Sequence, residues 1–322
     1  MRKAALIFNP SSGRNQQRAR AHAEAAASAL QAAGIAATLV PTLAAGSAKY
    51  QVQEAVAEGH DAIFACGGDG TMHDVLQGIM SLPDPRAIPL GIVPRGTGNV
   101  LANDLKLPRD PVAAIEAQLR GAPRTIAAGR IDYLSLTAKP KSRYFATTAG
   151  VGPDALMLDT VGNEAKDRYG LLAYIVTGLR INITHDFPLY EAQYVNDANG
   201  KTEQALVSQL MAVRINNFGN IMQRFAPGAG LDRDDFQLVL FKTRSVHKFN
   251  LYMLGVLSGM HWKVKSVDLV YTRQIEVKPL PDEVKASGGS TRIRCEADGE
   301  FLGAIPATIS IVPLTFSLLM PK

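Results

Sequence analysis

The sequence predicts an α/β fold plus a β domain: an N-terminal doubly wound α/β domain over residues 1–128, then a C-terminal β-sandwich-like domain over residues 129–310. Two observations carry this reading. In the first part, apolar strand-like runs alternate with helical patterns, as in a parallel sheet covered by helices on both faces. From Gly129 onward, short strand-like runs follow one another with turn-forming residues between them.

Taken in order, Lys3 to Phe8 reads as a first strand that leads into Asn9-Pro10-Ser11-Ser12-Gly13-Arg14. The alanine-rich run Gln16 to Ala33 is a strong helix closed by Gly34. Ile35 to Val40 is a second strand ending at Pro41-Thr42, and Ser47 reads as the N-cap of a helix that stops at Gly59. Ala62 to Ala65 begin a third strand, and Ile88 to Val93 make a fourth that runs into Pro94-Arg95-Gly96-Thr97-Gly98-Asn99. Asp110-Pro111 opens a further helix that Gly121 closes. In the second part, Tyr144–Thr148, Leu189–Val195, Leu206–Asn216, Phe236–Phe241, Ser266–Tyr271, Gln274–Val277 and Thr291–Glu296 read as strands. Helical patterns interrupt them at Arg168–Leu179 and Lys248–Met260, and the apolar run Leu251 to Leu257 reads as a buried helix.

Composition narrows the class. At 322 residues, with 47% hydrophobic and 20% charged residues, the chain is an ordinary globular protein of about two domains. A net charge of +5 suits anionic partners or serves solubility, and without a long Lys/Arg run dedicated nucleic-acid binding is excluded. Cys66 and Cys295 lie far apart and form no disulfide framework, which points to a reducing cytoplasm. After Arg2 and Lys3 only Ala4 to Phe8 are apolar, too short for a signal peptide. Phe301 to Pro321 carries no charge and is long enough to span a bilayer. Pro306 and Pro313, with Ile309, Ile311 and Val312, make it two buried strands rather than a transmembrane segment.

The chemistry centres on Phe64-Ala65-Cys66-Gly67-Gly68-Asp69-Gly70-Thr71. A buried strand enters a glycine turn, and Val75, Leu76 and Ile79 behind it mark one face of a helix. Such a helix start presents unused N–H groups and a positive dipole end, and glycine lets the backbone approach a phosphate. A carboxylate there needs a reason, and a bridging Mg²⁺ or an orienting hydrogen bond within the turn would supply one. Two glycine turns at strand ends of one sheet imply a shared polyphosphate site.

These motifs resemble the diacylglycerol kinase catalytic domain family, which includes sphingosine and ceramide kinases and bacterial soluble lipid kinases. The resemblance runs from Asn9–Gly13 through Gly67–Thr71 and Pro94–Asn99 to Ala149–Ala155, Asn216–Gly219 and Asp298-Gly299-Glu300, and so covers essentially the whole chain. It implies that the first domain binds nucleotide, that about residues 311–322 return to it, and that the second domain takes the lipid. It also implies transfer of the ATP γ-phosphate to a lipid hydroxyl with Mg²⁺, by a cytoplasmic protein peripheral to the membrane. Relatives with an exposed sandwich edge often pair, so a homodimer is left open.

By the same resemblance, the backbones of Gly67, Gly68, Gly70 and Thr71 hold phosphates, and Asn9, Ser12, Gly13 and Arg14 close the other side. Thr42 and Thr97 add hydroxyls, and Asp69 supports the Mg²⁺–nucleotide geometry. Asp298 accepts the proton of the acceptor hydroxyl as general base, and Glu300 orients nucleotide or metal. An isolated Asp-Gly is usually only a turn, and Thr42 alone reads as an ordinary cap. His73 and Asp74 read as helix-face residues and His247 and His261 as surface or cap residues, and the six histidines show no metal-ligand spacing.

Two departures matter. Many bacterial relatives hold a structural Mg²⁺ in the second domain on an Asp-Gly turn, where this chain has Gly230-Leu231-Asp232-Arg233-Asp234-Asp235. Arg233 stands in place of the aspartate and cannot ligate a cation, so a metal near Gly230, Arg233 and Asp235 is doubtful. The alternative is that Arg233 pairs with a neighbouring carboxylate and keeps the turn without an ion. Val100 follows Asn99 where many members have aspartate, which leaves Thr97 and Asn99 in place. The competing functions are a kinase of a soluble acceptor, since NAD kinases and phosphofructokinases share a related glycine turn, and a non-catalytic nucleotide- or lipid-binding relative.

Overall fold

The computed structural model describes residues 1–11, 16–153, 155, 187–217, 225–258, 264–282 and 293–322. They divide into two compact units, Met1–Ala128 with Pro313–Lys322, and Gly129–Val312.

The first unit runs β1 (Lys3–Phe8), α1 (Gln16–Ala32), β2 (Ala36–Pro41), α2 (Ala48–Ala57), β3 (Ala62–Gly67), α3 (Asp69–Met80), β4 (Leu90–Pro94), α4 (Val100–Asp104) and α5 (Pro111–Leu119). Its parallel sheet has the order β2-β1-β3-β4, and the long last strand β15 (Glu300–Met320) adds its end beside β4, Leu318 opposite Leu90. β3 and β4 are buried at every residue, because helices cover both faces and no position is left for a polar side chain. α1 can lie close on the sheet because its buried residues are small, Ala19, Ala23, Ala26 and Ala27, with Leu30 the one large side chain among them. Phe8 pairs with Pro41 and with Cys66, and Gly67 pairs with Pro94, so four parallel strands end in register. The segments after them therefore leave from one rim.

One expected cap is absent. Ser47 has helical dihedrals and makes no side-chain cap. Its hydroxyl instead accepts from the amides of Leu43 and Ala44 at 3.0 and 3.2 Å, stabilising the turn before the helix. Asp110 does cap its helix, accepting from Ala113 N at 2.9 Å.

The second unit is antiparallel. β5 (Ala122–Leu134) enters it and pairs with β6 (Pro140–Phe145). β7 (Thr148–Val151), β8 (Tyr190–Asn196), β9 (Lys201–Val207), β10 (Gln209–Val213), β11 (Phe236–Phe241), β12 (Val267–Thr272), β13 (Gln274–Pro279) and β14 (Arg294–Ala297) follow. The order is β12-β11-β10-β7-β14-β15, continuing through β13 and β8 to β9. Alternate residues such as Ile131, Phe145, Tyr190, Leu210, Leu238 and Ile275 form its buried core.

Three expectations change here. The single strand read over Leu206–Asn216 is two strands, β9 and β10, joined at Ser208. Phe301 to Pro321 is one strand rather than two. It changes partners along its length: β14 up to Ala304, β13 from Ala307 to Ser310, and β4 at Leu318. β5 also pairs with it, and Pro306 and Pro313 lie outside the registers with β14, β13 and β4. Finally, α6 (Val246–Ser258) is amphipathic rather than buried throughout: Tyr252 and Val256 are buried, while Leu251 and Leu254 are exposed. The expected helix at Arg168–Leu179 lies outside the described residues. No helix among the described residues is long and apolar enough to cross a membrane.

A buried side chain supports β4. Gln118, 1% exposed, accepts from Ile92 N and donates to Ile92 O, each at 2.8 Å, so its amide serves as a ladder partner. Gln118→Leu would strand both backbone groups, and we expect a loss of at least about 2 kcal/mol in urea unfolding. A change below about 0.5 kcal/mol would mean that other partners replace it.

Candidate functional site

The rim of the parallel sheet collects most of the expected phosphate-binding residues. Asn9 follows β1, its side chain accepting from Ser11 N at 2.8 Å in an Asx turn. Thr42 follows β2 and its amide donates to Phe8 O at 2.8 Å. Gly68 stands between β3 and α3 as an extended N-cap without a side chain, and α3 points its first turn to the rim. Ser12, Gly13 and Arg14 lie outside the described residues.

The two glycine turns touch. A Cβ on Gly68 would stand 3.2 Å from Gly96 Cα, and one on Gly96 only 2.6 Å from Gly68 Cα. Glycine at both positions is a packing requirement, because backbone meets backbone and neither can yield. Arg95 N donates to Gly67 O at 2.8 Å. The Asn99 side chain closes the second turn on itself, accepting from Gly96 N at 2.7 Å and donating to Gly96 O at 2.6 Å. Asn99 has φ of 48°, a left-handed conformation that asparagine tolerates. Thr97 is exposed at the turn's tip, whereas Thr71 is buried inside α3.

Asp69 is the first residue of α3, and its Oδ1 accepts from Val100 N at 2.6 Å. Of the two reasons the sequence allowed for a carboxylate here, the orienting hydrogen bond is present: it ties the first turn to the start of α4. A Mg²⁺ ion carried by nucleotide phosphates needs one or two carboxylates, and Asp69 fits as one of them. His73 is buried and Asp74 accepts from Gly46 N at 2.7 Å, as expected of helix-face residues. Cys66, just before the turn, has its thiol pushed up to about 12 by burial, so it stays protonated and inert.

Asp298 belongs to the second unit. Asp298 and Gly299, with φ of 50° and 78°, form the two-residue turn between β14 and β15, where Ala297 pairs with Glu300. The carboxylate is 5% exposed and grips the segment Ala146–Thr148. Oδ2 accepts from Ala146 N at 3.0 Å, and Oδ1 accepts from Thr147 N at 2.8 Å, Thr147 Oγ1 at 2.6 Å and Thr148 N at 3.3 Å. Glu300 is half-buried on the first residue of β15. Glu296, which sequence reasoning passed over, accepts from Gly299 N at 2.9 Å and fixes the turn.

The altered second-domain turn carries its own cation. Arg233 donates from Nε to Asp235 Oδ1 and from Nη2 to Asp235 Oδ2, both at 2.6 Å. Its guanidinium lies 4.2 Å from the centroid of the Tyr271 ring, whose hydroxyl donates to Pro227 O at 3.1 Å. A bidentate guanidinium already neutralises Asp235, so Gly230, Arg233 and Asp235 do not fit a metal ion. Among the described residues no group of three or more His, Cys, Asp or Glu could hold one.

A cavity of about 420 Å³ in the second unit is lined by Asp132, Lys141, Glu276, Lys278 and neighbouring residues. None of the motif residues lines it.

Comparison with known proteins identifies the two parts of the chain. Residues 3–131 match the family model of the diacylglycerol kinase catalytic domain, and residues 147–320 match the YegS C-terminal NAD kinase beta sandwich-like domain. A diacylglycerol kinase of Bacillus subtilis (strain 168) is 27% identical over 323 residues, covering 100% of this chain and 97% of its own. One of Staphylococcus aureus (strain bovine RF122 / ET3-1) is 25% identical over 307 residues, covering 95% and 88%. Among solved structures, a diacylglycerol kinase from Bacillus anthracis str. Sterne shares the fold at a TM-score of 0.66 and 17% identity, covering 99% of this chain and 97% of its own. With a kinase catalytic domain in its first part and the sandwich-like domain in its second, this chain belongs to the diacylglycerol kinase family.

Proposed function

We propose that the protein is an ATP-dependent lipid kinase that transfers the γ-phosphate to a hydroxyl of a diacylglycerol-like or sphingoid-like lipid met at a membrane surface. The observation that carries this reading is the pair of glycine turns in backbone contact at one rim, fastened by Asp69 to Val100 and by Asn99 to Gly96. Phosphoryl transfer asks for positioned phosphates and neutralised charge more than for covalent help, and rigid backbone donors supply the first.

In this reading Gly67, Gly68, Gly70 and Thr71 hold phosphates at the start of α3, and Asn9, Ser12, Gly13 and Arg14 close over them. Thr42 and Thr97 contribute hydroxyls from the neighbouring strand ends. Mg²⁺ held with Asp69 would supply charge neutralisation on the phosphates. The acceptor oxygen attacks the γ-phosphorus as its proton passes to Asp298. The bond from the γ-phosphorus to the bridging oxygen breaks, ADP leaves, and Asp298 returns the proton to solvent. Glu300 orients the nucleotide end.

The competing acceptors separate in one assay with γ-labelled ATP. Label in a lipid extract supports the proposal, label in NAD or a sugar supports a soluble-acceptor kinase, and label in neither supports a binding protein.

Two variants test the assigned roles. Asp298→Asn should lower kcat by roughly 10²–10⁴-fold while ATP binding persists. The carboxamide also sets a donor against one of the amides that Asp298 now satisfies, at about 1–3 kcal/mol of stability, so turnover is measured well below Tm with the fold checked by circular dichroism. Near-normal turnover would remove the base assignment. Asp69→Asn keeps an oxygen for Val100 N but loses the charge. Its stability should change by less than about 1 kcal/mol while the Mg²⁺ concentration for half-maximal rate rises about tenfold or more. An unchanged Mg²⁺ requirement would leave Asp69 as a turn-former alone.

A further inference from the structure

Arg214, immediately after β10, is the largest fully buried side chain, with no exposed surface. Among the described residues its one side-chain hydrogen bond runs from Nη1 to Ala146 O at 3.3 Å, and Nε and Nη2 find no hydrogen-bond partner there. Its backbone amide donates to Thr147 O at 2.9 Å. A buried guanidinium with unused donors is costly, and an apolar side chain of similar size would avoid that cost. Its retention calls for an electrostatic reason.

The geometry gives one. The peptide joining Ala146 to Thr147 accepts from Arg214 at its carbonyl and donates to Asp298 at its N–H. The next peptide, Thr147 to Thr148, does the same: its carbonyl accepts from Arg214 N and its N–H donates to Asp298 Oδ1. Two consecutive peptide dipoles are thus aligned between a cationic residue and a carboxylate, each polarised in the direction that strengthens the next bond. Asp298 leads the carboxylates whose charge acts on Arg214, ahead of Asp234 and Asp235. Burial pulls the guanidinium down only to about 10, so it stays charged in neutral solution.

We propose that Arg214 is a positioning residue for the reaction, its guanidinium holding the Asp298 carboxylate in place through the shared peptide between Ala146 and Thr147, beside a second peptide held by its backbone amide. The proposal rests on the role assigned to Asp298 above, and it adds a residue that touches neither substrate nor nucleotide.

The test uses the full chain with Arg214→Met and Arg214→Lys, each checked for fold by circular dichroism. Arg214→Met should lower kcat about tenfold or more with KM for ATP within about twofold, and Arg214→Lys should recover most of the loss, since it keeps the charge. In the Asp298→Asn background Arg214→Met should add less than about twofold, because the two act as one unit. Native-state hydrogen exchange at the Thr147 amide should quicken in Arg214→Met. Unchanged exchange, or equal losses in the Met and Lys variants that track a fall in Tm, would overturn the proposal. If Asp298→Asn alone keeps its turnover, the base reading fails, and the exchange measurement still decides whether Arg214 holds this segment.

Discussion

Asp69 spends one carboxylate oxygen on the amide of Val100, and the first unit's functional rim follows from that bond. With it, the turn after β3 and the turn after β4 become a single backbone surface, with Gly68 and Gly96 in contact beneath it. Without it, α4 would have no anchor at its first residue, and the Asn99 clamp would hold a turn free to swing away. A surface made of backbone is well suited to a polyphosphate, because its N–H groups are fixed before the ligand arrives and little reorganisation remains.

The second unit uses the same device. Asp298 satisfies three amides and a hydroxyl of Ala146–Thr148, so the turn between β14 and β15 and the segment leading into β7 cannot move independently. In both units the motif aspartate is first a clamp on backbone. Any chemical role is added to that clamp, and a substitution at either position therefore changes geometry along with charge.

Much of this was legible in the residues. The apolar runs before Asn9, Gly67 and Pro94 placed three strand ends, and glycine at 68 and 96 marked where backbone must come close. The Asp-Gly pair at residues 298 and 299 announced a turn, which it is. What escaped was of another kind. Ser47 looked like a cap because its side chain can accept from amides, yet the amides it found lie before the helix rather than within it. Pro306 and Pro313 looked like breaks because the strands that pair along this segment are distant in sequence. Arg214 was invisible inside an apolar run, although a lone arginine in Met211-Ala212-Val213-Arg214-Ile215 was a signal, since a strand buried on both sides tolerates a charge only opposite another charge.

The Asp298 clamp bears on how this residue could serve the base role proposed for it. A carboxylate held by several N–H and O–H donors is fixed in place and cannot swing to follow the proton it would accept. For acyl transfer, where the nucleophile must be activated early, this would be a poor arrangement. Phosphoryl transfer passes through a loose transition state in which bonding to the leaving oxygen is largely lost before the nucleophile's bond forms. The acceptor hydroxyl becomes acidic only late, and a well-placed carboxylate is then enough. The hydrogen bonds that Asp298 accepts fix its position, and for the proposed chemistry position is the larger requirement.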